Sequence, residues 1–186
     1  AASDVYKRQD TECCERVMRY CLGDMSRISG ETEKLIAFAG QGGALSSDDV
    51  DAVVYRDAEY KTYEMTGALG QKNYGRFLSV QRELMEKGSD ENSVLNALCA
   101  YLRNLLEISL LKKSYAETAR VLGMKEYAVK MSRRQANAIG VRRVREAWEY
   151  VYQAINAIKS GMLTAPAALL KVNAKLFFDT EANIGI

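Results

Sequence analysis

Apolar residues recur at three- and four-residue spacing along most of this chain, and no strand-like alternation runs for more than a few residues. The pattern predicts helices near residues 10–22 and 24–39, then a short helix after Ser46 or Ser47. Further helices are expected near residues 60–69, 74–87, 91–112, 115–122, 126–138, 141–159 and 165–178. End signals fit this division. Gly88, Gly123 and Gly161 stand where a left-handed residue closes a helix, and Thr164 caps a helix whose first turn holds Pro166. Ser114 and Glu117 have capping-box spacing. Asp48, Asp49 and Asp51 suit the positive end of the short helix, and Gly40-Gln41-Gly42-Gly43 reads as a flexible joint before it.

The helices differ in their faces. Near 24–39, Ile28, Leu35 and Phe38 fall on one side. The helix at 141–159 carries one stripe, Val141, Val144, Trp148, Val151, Ile155 and Ile158, with Arg142, Arg143, Arg145, Glu146 and Glu149 opposite, as an ordinary surface helix does. The helix at 91–112 has two apolar rows, one of them Leu95, Cys99, Leu102, Leu106 and Leu110. It is therefore central in its domain or lies between subunits.

Composition turns this pattern into a fold class. The chain has 186 residues, 48% of them hydrophobic, and a single proline, so an all-α protein with a real core is expected. A change to charged residues and tyrosines around Val54 to Glu59 places a domain boundary there. No apolar run has membrane-spanning length, and the chain reads as cytoplasmic, with no membrane partner. Residues 1–9 share no pattern with the rest of the chain and lack an initiating methionine; they read as a non-native leader, and the remainder as the C-terminal part of a longer protein.

Charge and chemistry narrow the function. The formal net charge is only +2, but residues 101–145 hold eleven Lys/Arg against three Asp/Glu, while residues 1–60 hold seven against twelve. Such asymmetry suits a surface that meets a polyanion or an acidic partner. The four cysteines, Cys13, Cys14, Cys21 and Cys99, lack metal-site spacing, and with no histidine an imidazole base is excluded. No glycine precedes a lysine, so the phosphate-cradling Gly-Lys-Ser/Thr loop is absent. No catalytic residue, cofactor or metal is expected, because no nucleophile, cofactor loop or ligand set can be assembled.

Two stretches carry a more specific reading. The first, Cys21-Leu22-Gly23-Asp24-Met25-Ser26-Arg27-Ile28, runs on into Glu31-Thr32-Glu33-Lys34-Leu35; Gly23 ends one helix and Asp24 caps the next. The order of helix, Gly-Asp-Met, bend and helix with Glu-Lys-Leu resembles the lid domain of clamp-loader ATPases, most closely the delta subunit family of bacterial DNA polymerase III. The segments Glu59 to Gly70, Tyr115 to Gly123, Tyr127-Ala128-Val129-Lys130, Arg134-Gln135-Ala136 and Ile158-Lys159-Ser160-Gly161 resemble that family's collar domain, in the expected order.

The resemblance implies a partial helical AAA+ lid at residues 10–56 and a helical-bundle collar domain at residues 57–186. It implies a non-catalytic subunit that assembles with the other clamp-loader subunits, of gamma/tau and delta-prime types. The sliding clamp would be met only through a missing N-terminal domain. Leu102, Leu106 and Leu110 are the expected interface or packing residues, and Trp148 is expected in the core. At the lid junction of Gly23, Asp24 and Arg27, an arginine approaches nucleotide phosphates in ATP-binding relatives. Without a phosphate loop, Arg27 reads as a structural or interface arginine.

The second stretch, Ser114 to Met124 with Val129, Lys130, Arg133 and Arg134 beyond it, also reads as a helix-turn-helix of a DNA-binding transcriptional regulator spanning residues 114–138. Against base readout, Lys125-Glu126-Tyr127 places an acid and an aromatic in the exposed first turn of the second helix. Lys130, Arg133 and Arg134 are then expected to meet DNA by charge alone, without sequence preference.

Overall fold

The structure is a computed structural model that describes residues 11–40, 43–56 and 58–178. The expected leader at residues 1–9 lies outside the described residues, as do Gln41 and Gly42 of the expected glycine joint. The described elements are all helical: α1 (Thr11–Tyr20), α2 (Met25–Ala39), α3 (Ser47–Val53), α4 (Ala58–Gly70), α5 (Tyr74–Glu86), α6 (Glu91–Leu110), α7 (Tyr115–Leu122), α8 (Glu126–Ile139), α9 (Val141–Lys159) and α10 (Ala165–Phe178). The chain divides between Tyr60 and Lys61 into two compact units, so the division falls in the first turn of α4.

In the first unit α1, α2 and α3 pack on one another around Val17, Cys21, Leu35 and Val50, all buried. Polar contacts fix their angles. Asp51 of α3 accepts the Tyr20 hydroxyl and, at 2.8 Å, the Arg16 guanidinium. Burial, with the Asp51 bond adding to it, raises the Tyr20 pKa and holds the phenol as a donor. Buried Glu31 accepts the Tyr55 backbone N–H at 3.2 Å and pairs with Lys34 at 2.6 Å. α3 starts on a complete capping box between Ser46 and Asp49. Of Ile28, Leu35 and Phe38, all within α2, Leu35 is buried and Ile28 half-buried, while Phe38, in the last turn, is exposed.

The second unit is built on α6. Leu95, Leu98, Leu102, Leu105 and Ile108 are all fully buried, which is why that helix needs two apolar rows. α9 has its most extensive packing against α6 through Val144, Val151 and Ile155, and α8, α10 and α5 complete the surround. Removing a leucine side chain of this kind from water stabilises the fold by about 1.5–3 kcal/mol. Trp148 packs on this core from a half-buried position, its ring stacked on Tyr152.

The glycine stops are borne out. Gly88, Gly123 and Gly161 have φ of +95°, +64° and +74°, and the N–H after each reaches back five residues, as Ser89 to Leu84, Met124 to Ala119 and Met162 to Ala157. Two other helix ends use residues that sequence does not flag. Leu22 (φ +51°) and Lys72 (φ +55°) take the left-handed position themselves, with Gly23 and Asn73 making the reach-back bonds.

Candidate functional site

Asp24 and Arg27 of the expected lid junction come together within the first unit. Asp24 caps α2, its Oδ1 accepting the Arg27 N–H at 3.1 Å. The Arg27 guanidinium turns back on the unit, donating to the carbonyls of Tyr20 at 3.5 Å and Tyr55 at 3.4 Å. Arg27 therefore links the end of α1 to the segment after α3, a structural use of its charge.

The α7–α8 hairpin is the next candidate. Ala119 and Val129 bury against Ile108 of α6, with Leu122 and Met124 closing the cluster. α7 opens on a full capping box: Ser114 Oγ accepts the Glu117 N–H at 3.3 Å, and the Glu117 carboxylate accepts the Ser114 hydroxyl and N–H at 2.7 and 3.1 Å. Those bonds from Ser114 hold the Glu117 carboxyl below the usual carboxylate range.

The three basic residues expected to face DNA separate here. Lys130 and Arg134 lie exposed on α8. Arg133 is half-buried and turned into the hairpin, donating to the Lys113 carbonyl at 2.9 Å, the Leu111 carbonyl at 3.3 Å and Thr118 Oγ1 at 3.0 Å, with its guanidinium 5.0 Å from the centre of the Tyr115 ring. Its donors satisfy the connection between α6 and α7, so Arg133 is a staple of the fold rather than a contact surface. The reason is register: one residue along a helix turns a side chain by about 100°, enough to separate Arg133 from its neighbour Arg134.

The leucines expected at an interface separate as well. Leu102 is fully buried and Leu106 is 9% exposed, both inside their own unit, while Leu110 in the last turn of α6 is 56% exposed. Only Leu110 of the three has surface to offer.

Three features have no counterpart in the sequence pattern. Gln135 of α8 is buried where α4 and α6 meet it: its Oε1 accepts the Tyr101 hydroxyl at 2.9 Å and the Thr66 hydroxyl at 3.3 Å, and its Nε2 donates to the Tyr63 carbonyl at 2.8 Å. Gln81 and Asn173 exchange two amide bonds, at 3.2 and 2.8 Å, between α5 and α10. Lys61, almost fully buried, pairs with Glu83 and with Glu64 at 3.5 Å, and Arg76 bridges the same two carboxylates. Each depends on contacts between different helices, so no local signal marks it. Burial pushes the pKa of the Cys99 thiol up.

Comparison with known proteins follows the same division. The family described as the C-terminal domain of the DNA polymerase III delta subunit matches residues 59–171, from the first turn of α4 into α10. The solved structure of the Bacillus subtilis DNA clamp loader delta protein is similar over 90% of this chain, with a TM-score of 0.79 at 20% identity. The chain spans half the length of that protein. No curated protein sequence matches.

Proposed function

Because the chain belongs to the family of C-terminal domains of the DNA polymerase III delta subunit, we propose that it serves DNA replication as a non-catalytic clamp-loader component. In this reading its second unit is a collar that assembles with the other loader subunits, of gamma/tau and delta-prime types. The observation that carries it is the span of the family match, residues 59–171, which nearly coincides with the start of the compact unit at Lys61. The first unit is then part of a helical lid, with Gly23, Asp24 and Arg27 as its architectural junction. Opening of the sliding clamp, which the resemblance gives to another domain, is assigned to no residue of this sequence.

Charge supplies the second part of the proposal. With Arg133 engaged in the fold, Lys130 and Arg134 are exposed cations of α8 that meet DNA phosphates, without reading sequence. The site of action is cytoplasmic; no described helix is long and apolar enough to cross a membrane.

Assembly is tested by mixing the chain with the purified partner subunits and measuring the mass of the product by light scattering. A complex of defined mass is expected. Failure to associate where a full-length delta subunit assembles would sink the reading. A helix-turn-helix regulator predicts instead that one duplex sequence is bound far more tightly than unrelated DNA at physiological salt; uniform binding supports the loader.

A further inference from the structure

α10 is the most informative surface outside these sites. Its inner face, Ala168, Leu169, Val172, Asn173 and Leu176, is buried. The opposite side of a helix is ordinarily polar, but here it carries Ala167, Leu170, Ala174 and Phe178. These fall at three- and four-residue spacing, the repeat of a helix-packing seam. Leu170 is 68% exposed, and Phe178 is 66% exposed although its ring meets that of Tyr74 of α5 edge-on at 5.4 Å, so Leu170 is the large side chain of the row with no ring contact of its own. From the first of these residues to the last, the row runs about 16 Å along the helix. Its alanines leave room for a second helix to approach closely, towards the end near 8 Å of the usual interaxial distances.

Charge identifies the occupant. α10 contains no acidic residue, and its only charges, Lys171 and Lys175, lie exposed along one edge of the row. Lys175 also stands 5.8 Å from the Tyr150 ring centre. A second copy of this chain fits poorly: an antiparallel pair brings lysine edge against lysine edge, and a parallel pair sets Lys171 against an α10 that holds no acidic residue. We infer that the outer face of α10 is an assembly surface that receives an amphipathic helix of another loader subunit, one with an apolar stripe and an acidic edge. This rests on the assembly reading above and assigns it to a face other than the one Leu102 and Leu106 suggested.

The test compares L170D, K171E and I36D with the unchanged chain by light-scattering titration against the partner subunits. Circular dichroism confirms that each variant is folded, as expected for exposed positions. L170D should raise the dissociation constant at least about tenfold by placing a charge in the seam, since a tenfold change needs only about 1.4 kcal/mol. K171E should raise it severalfold at low salt, with the difference shrinking as salt screens the edge. I36D, at an exposed position of α2 outside this face, should bind as the unchanged chain does. Unaltered assembly by L170D, beside an unchanged chain that assembles, overturns the α10 face and leaves the assembly reading standing. An unchanged chain that fails to assemble overturns both. A homodimer abolished by L170D overturns the choice of occupant.

Discussion

Replacing Arg133 by alanine separates two physical roles for one side chain. A surface cation that meets phosphate is nearly neutral to folding, whereas a guanidinium with three bonds into its own fold is not. Hydrogen bonds to charged groups contribute about 1.5–3 kcal/mol each, and an exposed cation–aromatic contact adds about 0.5–1 kcal/mol. The guanidinium is half-buried and water takes over part of each bond, so the total for R133A is placed at about 2–3 kcal/mol. For a chain of this size each kcal/mol moves the melting temperature by about 2–4 °C, giving a drop of roughly 4–12 °C. Thermal unfolding followed by circular dichroism reads this directly, with R134A as the control, expected within about 0.5 kcal/mol of the unchanged chain. R133K keeps the charge but not the planar fork, and should recover only part of the loss. If R133A melts with R134A while DNA affinity falls, the staple reading is refuted and Arg133 returns to the nucleic-acid surface.

Other perturbations test the remaining joints. Q135A removes the acceptor of the Tyr101 hydroxyl, whereas the Thr66 hydroxyl keeps the Thr62 and Tyr63 carbonyls at 3.0 Å; it should cost about 1–3 kcal/mol in a urea melt, the range for one disrupted buried polar group. G123A is predicted to cost about 1–2 kcal/mol in the same melt. The space around an added Cβ is empty there, so the penalty comes from the left-handed backbone alone. S114A should lose about 1 kcal/mol by uncapping α7. Asp49, Asp90 and Glu117 each have a folded-state pKa depressed by serine hydrogen bonds. Their contribution is therefore complete above the unfolded carboxylate pKa and lost as pH falls through the folded one, so stability should decline below about pH 4. S114A should flatten that decline in a pH series of melts.

Local chemistry was readable wherever it is self-contained. Helix existence, the Ser114–Glu117 box and the stops at Gly88, Gly123 and Gly161 follow from residues within one turn of one another, because caps and left-handed positions act over that distance. Ancestry was readable as well, since the collar-like segments preserve their order along the chain. The direction of each side chain was not. Leu102 and Leu110, eight residues apart on one apolar row, end up fully buried and largely exposed because the last turn of α6 is covered on one side only, where Ile108 packs against Ala119 and Val129. Arg133 and Arg134 look alike in sequence, and only the packing of α7 against α8 turns one inward. The apolar outer row of α10 was hidden for the same reason: a helix that is hydrophobic on two sides shows which side is left uncovered only once the other has been buried. Sequence thus determined the helices, the glycine-marked and capped ends among them, and the family to which they belong. The tertiary structure decided which surfaces remain for partners, because exposure is set by contacts between residues distant along the chain.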